Sequence, residues 1–236
     1  MNLILLQSGD FLRADQVTLT DRRAQHIQQV LKAKAGDHLK VGLLNGDCGC
    51  GVVQKIANNH IEMTVTLSQS PPPKIPLTLL LALPRPKAAR RIIRSATELG
   101  VENIILLNSY RVEKSYWQSP LINDANLHQA VLEGLEQSGD TVPPGVQKVT
   151  LFKPFVEDKL PQLLESRTGL VAHPHATTFN PPPLGHKALM AIGPEGGFIP
   201  YEFEKLQEAG LQGFNLGPRI LRVETALPTV IGKLFY

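Results

Sequence analysis

Cysteine is nearly absent: Cys48 and Cys50 are the only two in 236 residues. A single residue between them makes a mutual disulfide geometrically awkward, and with no second pair a structural zinc site lacks its ligands. A disulfide scaffold is excluded, and a reducing cytoplasm fits. Long apolar runs are also missing. The longest, Leu77 to Leu83, is far below the ~20 residues that span a bilayer, and Leu3 to Leu6 follow no basic segment. Neither a signal peptide nor a membrane segment is expected. Charge of one sign is scarce too: 24 basic against 21 acidic residues give +3, too small a total to name nucleic acid as a partner. With 42% hydrophobic and 19% charged residues, disorder and collagen are excluded. GxxxxGK[ST], HExxH, GxSxG and a GxGxxG after a strand are all absent, which argues against ATPases, zinc proteases, α/β hydrolases and dinucleotide-dependent dehydrogenases. His173-Pro174-His175 has no acidic or cysteine neighbour and reads as a rigid loop, so no metal is expected.

Proline marks the main division. Ser68 to Pro76 contains four prolines, which favour extended backbone and are unsuited to a helix or central strand. The expected organisation is a β-rich module at 1–70, a linker at 71–76 and a second domain at 77–236. Within the first, Val17 to Leu19, His38 to Leu44, Gly51 to Ile56 and His60 to Leu67 read as strands, punctuated by Asn45-Gly46, with a helix near Asp21 to Ala33. After the linker, strands alternate with helices. The strands are Leu77 to Leu83, Asn103 to Leu107, Val149 to Phe152, Gly169 to Ala172, Ala188 to Ile192 and Gly213 to Leu216. The helices are Lys87 to Leu99, Asn123 to Ser138, Val156 to Glu165 and Tyr201 to Ala209. This alternation predicts an α/β domain with a mostly parallel sheet. Asn180 to Pro183 reads as a surface loop. The closing helix, Thr225 to Tyr236, has an apolar face of Leu227, Val230, Ile231, Leu234 and Phe235 that suits either core or a dimer interface.

The modest net charge is unevenly spread. Residues 73–118 hold 8 basic and 3 acidic groups, whereas 1–72 nets +1 and 119–236 nets −3. Lys87, Arg90, Arg91 and Arg94 recur at helical spacing, with Ala89, Ile92, Ile93 and Ala96 roughly opposite and Arg85 extending the stripe. Such a face is either simply solvated or a surface for phosphates.

Two glycine-bearing loops directly follow predicted buried strands. One is Ile192-Gly193-Pro194-Glu195-Gly196-Gly197-Phe198, and the other runs Leu216-Gly217-Pro218-Arg219-Ile220-Leu221-Arg222-Val223-Glu224-Thr225-Ala226. Open α/β sheets bind ligands beyond the carboxyl ends of their strands, where these loops would converge and offer backbone groups to a planar base.

These motifs, with Leu83-Pro84-Arg85, Thr97 to Val101, Glu136 to Gly139 before Val142-Pro143, and His26-Ile27 with Val30 to Lys32 and Gly36-Asp37, resemble the ribosomal RNA small-subunit methyltransferase E family of the SPOUT (trefoil-knot) superfamily. The resemblance implies a SPOUT-type parallel sheet with a C-terminal deep trefoil knot, preceded by a small PUA-like β-barrel. It implies methylation of N3 of a uridine in 16S rRNA of the small ribosomal subunit, S-adenosylmethionine (SAM) as donor, and a homodimer. Carried onto this chain, the donor pocket comprises Leu170, His173, Pro174, Ile192, Gly193, Pro194, Glu195, Gly196, Gly197, Leu216, Gly217, Pro218, Ile220, Leu221 and Arg222. Arg219 and Arg222 are the candidates for stabilising charge on the target base, and Glu224 is the candidate to orient an arginine, accept the proton or hold the donor's amino group. Arg85, Lys87, Arg90, Arg91 and Arg94 are the expected RNA contacts. Ser95 and Asp140 stand where many members carry basic residues. That motivates two alternatives, a divergent enzyme with another RNA target and a non-catalytic RNA-binding assembly factor.

Overall fold

The computed structural model describes residues 2–177 and 181–236 and divides into two units. The first comprises the chain up to Pro73 together with Leu132–Pro143; the second comprises Lys74–Val131 and Pro144–Tyr236. The return of Leu132–Pro143 to the first unit is not part of the expected 1–70 division.

In the first unit the strands are β1 (Ile4–Leu6), β2 (Phe11–Arg13), β3 (Gln16–Leu19), β4 (His38–Leu43), β5 (Cys48–Ala57) and β6 (His60–Gln69), with α1 (Arg22–Gln29) after β3. They form one mixed sheet in the order β1-β4-β5-β6-β3-β2, in which only β1 and β4 run parallel. Alternate residues such as Val17, Leu19, Ile61, Met63 and Val65 face a core closed by Ala24 and Ile27 of α1. Asp21 caps α1 by accepting the Arg23 N–H. The Arg23 side chain is buried, donating to the Leu5 carbonyl and to both Asp10 and Asp21. Arg22 forms a two-pronged pair with Glu136, at 2.6 and 3.0 Å.

The second unit is built on β7 (Ile75–Ala82), β8 (Val101–Leu107), β9 (Gly145–Val149), β10 (Thr168–Ala172), β11 (Ala188–Ile192) and β12 (Gln212–Phe214). All pairings are parallel, in the order β12-β10-β11-β7-β8-β9. The chain thus moves outward to the β9 edge, crosses to β10, and fills the place between β10 and β7 with β11. The helices are α2 (Pro86–Glu98), α3 (Lys114–Trp117), α4 (Asp124–Ser138, whose last turns lie in the first unit), α5 (Phe152–Pro154), α6 (Leu160–Leu164), α7 (Pro200–Glu208) and α8 (Val223–Phe235). Both α2 and α8 bury one face and pack on each other. Ala89, Ile92, Ile93 and Ala96 are inside, as the spacing predicts. Leu227, Val230, Ile231 and Leu234 are buried within the chain itself, which assigns that face of the last helix to core.

Several boundaries differ from the sequence expectation. The expected linker ends inside β7, which includes Pro76. The β7–β8 register is irregular between Ile75 and Thr78, so the missing proline N–H falls where the ladder is already interrupted. The strand expected at Val149 to Phe152 is instead β9, ending at Val149. It is an edge strand with little burial and therefore carries no apolar run, while Phe152 begins a helix. The helix expected at Val156 to Glu165 starts as a π turn, Phe155–Lys159, before Pro161 in α6. Asn180 of the expected loop lies outside the described residues.

Candidate functional site

Parallel pairing brings the ends of three strands level: Ala172 pairs with Ile192 and with Phe214. Their following loops enclose a cavity of about 430 Å³ in the second unit. His173, Pro174, Ile192 to Gly197, Leu216, Gly217, Arg219, Ile220 and Leu221 all line it, so the structure brings most of the expected pocket together. Four expected residues stand elsewhere. Leu170 is buried in β10, two residues before the strand end, and Pro218 is exposed outside the lining. Arg222 is the N-cap residue of α8, and Glu224 lies in its first turn and does not line the cavity.

The loop after β11 is held by close backbone approach. A Cβ on Gly193 would lie 2.9 Å from the Phe198 nitrogen and 3.1 Å from the Gly197 Cα, so a side chain there conflicts with the returning backbone. Gly197 donates to the Pro194 carbonyl at 2.7 Å to close the turn. The Glu195 carboxylate accepts the Arg85 N–H at 2.9 Å, tying the loop to the entry of α2. Asn215 joins the other two loops: its amide donates to the Ala176 carbonyl at 2.6 Å and its oxygen accepts the Gly217 N–H at 3.1 Å.

His173 stacks on Phe203 with centroids 4.4 Å apart. Its Nδ1 accepts the His175 N–H at 3.3 Å, leaving Nε2 to donate toward the Phe198 carbonyl at 3.5 Å. Burial pushes its pKa below the usual imidazole value, and the nearby charges of His175 and Arg111 act in the same direction. The ring is therefore a neutral structural wall of the site near pH 7. Among the described residues, no cluster of three or more His, Cys, Asp or Glu is placed to hold a metal ion.

The basic helix is more neutralised than its sequence suggests. Arg91 donates to Glu224 from Nε at 2.8 Å and Nη2 at 2.5 Å, and Arg94 pairs with Glu98 at 3.2 Å. Glu224 thus orients an arginine, but it is Arg91 of α2 rather than Arg219 or Arg222. Its place in the first turn of α8 also complements the helix dipole. Asp140 is only 2% exposed and accepts the Val142 N–H at 2.9 Å, so the acidic residue at this position shapes a turn and presents no surface charge.

Arg111, absent from the sequence reading, also lines the cavity, and its Nη1 donates to the Gly196 carbonyl. A Cβ on Gly196 would lie 2.8 Å from Arg111 Cδ. The signal was positional: Asn108 to Arg111 directly follow strand β8, as the two glycine loops follow theirs.

The model of an RNA methyltransferase domain matches residues 71–234. Ribosomal RNA small subunit methyltransferase E of Synechocystis sp. is 32% identical over 233 residues, covering 91% of this chain and 70% of its own length. The Treponema pallidum protein of the same name is 29% identical over 234 residues, covering 96% and 87%. The crystal structure of the Neisseria gonorrhoeae protein of that name, bound to S-adenosyl methionine, superposes with a TM-score of 0.74 at 23% identity, covering 98% of this chain and 95% of that one. The domain model matched over 71–234, together with 32% identity across 91% of the chain, places this chain in the ribosomal RNA small subunit methyltransferase E family of RNA methyltransferases.

Proposed function

We propose that the protein transfers a methyl group from SAM to N3 of a uridine in 16S rRNA of the small ribosomal subunit, as a cytoplasmic homodimer. The observation that carries this reading is the cavity itself. Its volume suits a nucleoside-sized ligand, and its walls alternate apolar side chains, such as Ile192, Leu221 and Ala226, with loop backbone. Crowding by the loop's own backbone at Gly193 and by the Arg111 side chain at Gly196 holds the loop after β11 in the shape that walls the cavity. Backbone N–H and C=O groups of the loops after β11 and β12 would hold the adenine, with Ile192, Leu216 and Leu221 against its faces.

When bound, SAM supplies a methyl activated on a sulfonium, so the protein's task is alignment and exclusion of water. The target base must be unstacked, because N3 lies on the pairing edge. Arg219 at the cavity wall stabilises the charge that develops on the uracil carbonyls as N3 loses its proton. Arg85, Lys87, Arg90, Arg91 and Arg94 present cations for the RNA backbone, Arg91 and Arg94 from within ion pairs with Glu224 and Glu98. The first unit is read as the PUA-like RNA-gripping module, a reading its mixed six-stranded sheet supports. The strand order, with β11 inserted between β10 and β7, is compatible with a chain that threads a deep trefoil knot.

Calorimetric titration with S-adenosylhomocysteine (SAH), paired with transfer of labelled methyl to 30S particles, tests the reading. Saturable SAH binding and RNA labelling are expected. RNA binding without label would favour the assembly-factor alternative, and a folded protein that ignores SAH would refute the donor site.

A further inference from the structure

We propose that Arg111 is a catalytic residue of the methyl-transfer reaction: its guanidinium contacts one carbonyl oxygen of the target uracil while Arg219 serves the other. This inference rests on the methyl-transfer reading above. Arg111 lies four residues beyond the carboxyl end of β8, a strand parallel to those whose loops form the cavity. Its backbone is fixed on both sides. The Tyr110 N–H donates at 2.6 Å to Glu202, a carboxylate only 3% exposed that also accepts the Ile199 N–H at 3.1 Å. On the other side the Val112 N–H closes a turn onto the Ser109 carbonyl, and the Val112 side chain is buried. The backbone that carries the arginine therefore does not have to be ordered when substrate arrives.

The guanidinium is only partly used. One N–H edge meets the Gly196 carbonyl, a neutral partner, and among the described residues no carboxylate forms an ion pair with Arg111. Its remaining N–H groups stay available for an acceptor. Arg222, the second arginine that sequence suggested for this task, does not line the cavity, whereas Arg111 and Arg219 both do. The chemistry calls for two such groups. The uracil N3–H lies between two carbonyls, so when its proton leaves to water the negative charge is shared by both oxygens. N3 then forms its bond to the methyl carbon with its own electron pair. The carbon–sulfur bond breaks with its pair going to sulfur, which cancels the sulfonium charge.

The experiment is single-turnover methyl transfer to 30S particles across pH, with SAH affinity measured by calorimetry, for wild type, R111Q and R111K. R111Q is expected to lose about 100-fold in rate near pH 7. Its SAH affinity falls by no more than about tenfold, the order of one lost hydrogen bond to the Gly196 carbonyl, so most of the loss is in transfer and not in donor binding. Its rate keeps rising with pH beyond the point where wild type levels off, because without the cation the base ionises less readily. R111K, which keeps the charge, retains the wild-type profile with a smaller loss. A pH-independent loss in R111Q that matches an equal loss of SAH affinity would overturn the proposal and make Arg111 a donor-binding or structural residue, as would an undiminished rate. A wild-type protein that binds SAH but transfers no methyl would instead bring down the parent reading, and this proposal with it.

Discussion

Each unit is organised around six strands, but their pairing sends the connections to different places. In the first, adjacent strands mostly run antiparallel, so turns leave from both ends of the sheet and no group of loops accumulates at one end. Its buried cation, Arg23, is spent on Asp10 and Asp21. In the second, every strand points the same way. The segments after β8, β10, β11 and β12 therefore leave from one end, bringing Arg111, His173, Glu195 and Arg219 around one cavity. Charge in the first unit fastens the fold, whereas Arg111 and Arg219 of the second line the cavity.

This contrast can be broken from either side. The largest effect is expected from Gly193→Ala, whose Cβ meets backbone that cannot swing aside. SAH affinity should fall by at least about 100-fold in a calorimetric titration, the order expected when a binding loop is displaced. The first unit should keep its amide-exchange protection. Arg23→Ala makes the opposite test. It strands the Leu5 carbonyl and the Asp10 carboxylate, so unfolding of the first unit in urea should become easier by roughly 2–3 kcal/mol, discounted because Asp21 is half exposed. SAH affinity should be unchanged.

A smaller effect comes from pH. His173 has a folded pKa below its unfolded value of 6.5, so below that pH the unfolded chain binds more protons at this site. The second unit should therefore lose stability as pH falls from about 6.5 toward the folded pKa, and His173→Gln should flatten that part of the thermal-melt profile. The smallest effect belongs to the Arg91–Glu224 pair, whose side chains are largely and partly exposed. A double-mutant cycle should return a coupling below about 1 kcal/mol. A larger value would mean that α2 and α8 are fastened together as firmly as the interior of the first unit.

Much of this arrangement was legible in residue order because strong local signals coincide with what the fold requires. Ala188 to Ile192 is a pure apolar run that becomes a fully buried strand, and the glycines after it mark the point where backbone doubles back. The face of α2 was readable from its 3.6-residue period. Edge elements were not. β9 and β2 bury too little to leave a pattern. Long-range partners were equally hidden: nothing in the chain order shows that Glu224 meets Arg91, that Leu132–Pro143 returns to the first unit, or that Asp140 is buried there. Arg111 was hidden because the segment after its strand reads Asn-Ser-Tyr-Arg and carries no glycine signature like those of the other two loops.

The most direct test of the account is nucleoside mass spectrometry of 16S rRNA after 30S particles are incubated with the protein and methyl-labelled SAM. Label is expected in N3-methyluridine and in no other nucleoside, and Gly193→Ala is expected to abolish it. Label in a different nucleoside, or none from a protein that binds SAH normally, would contradict it.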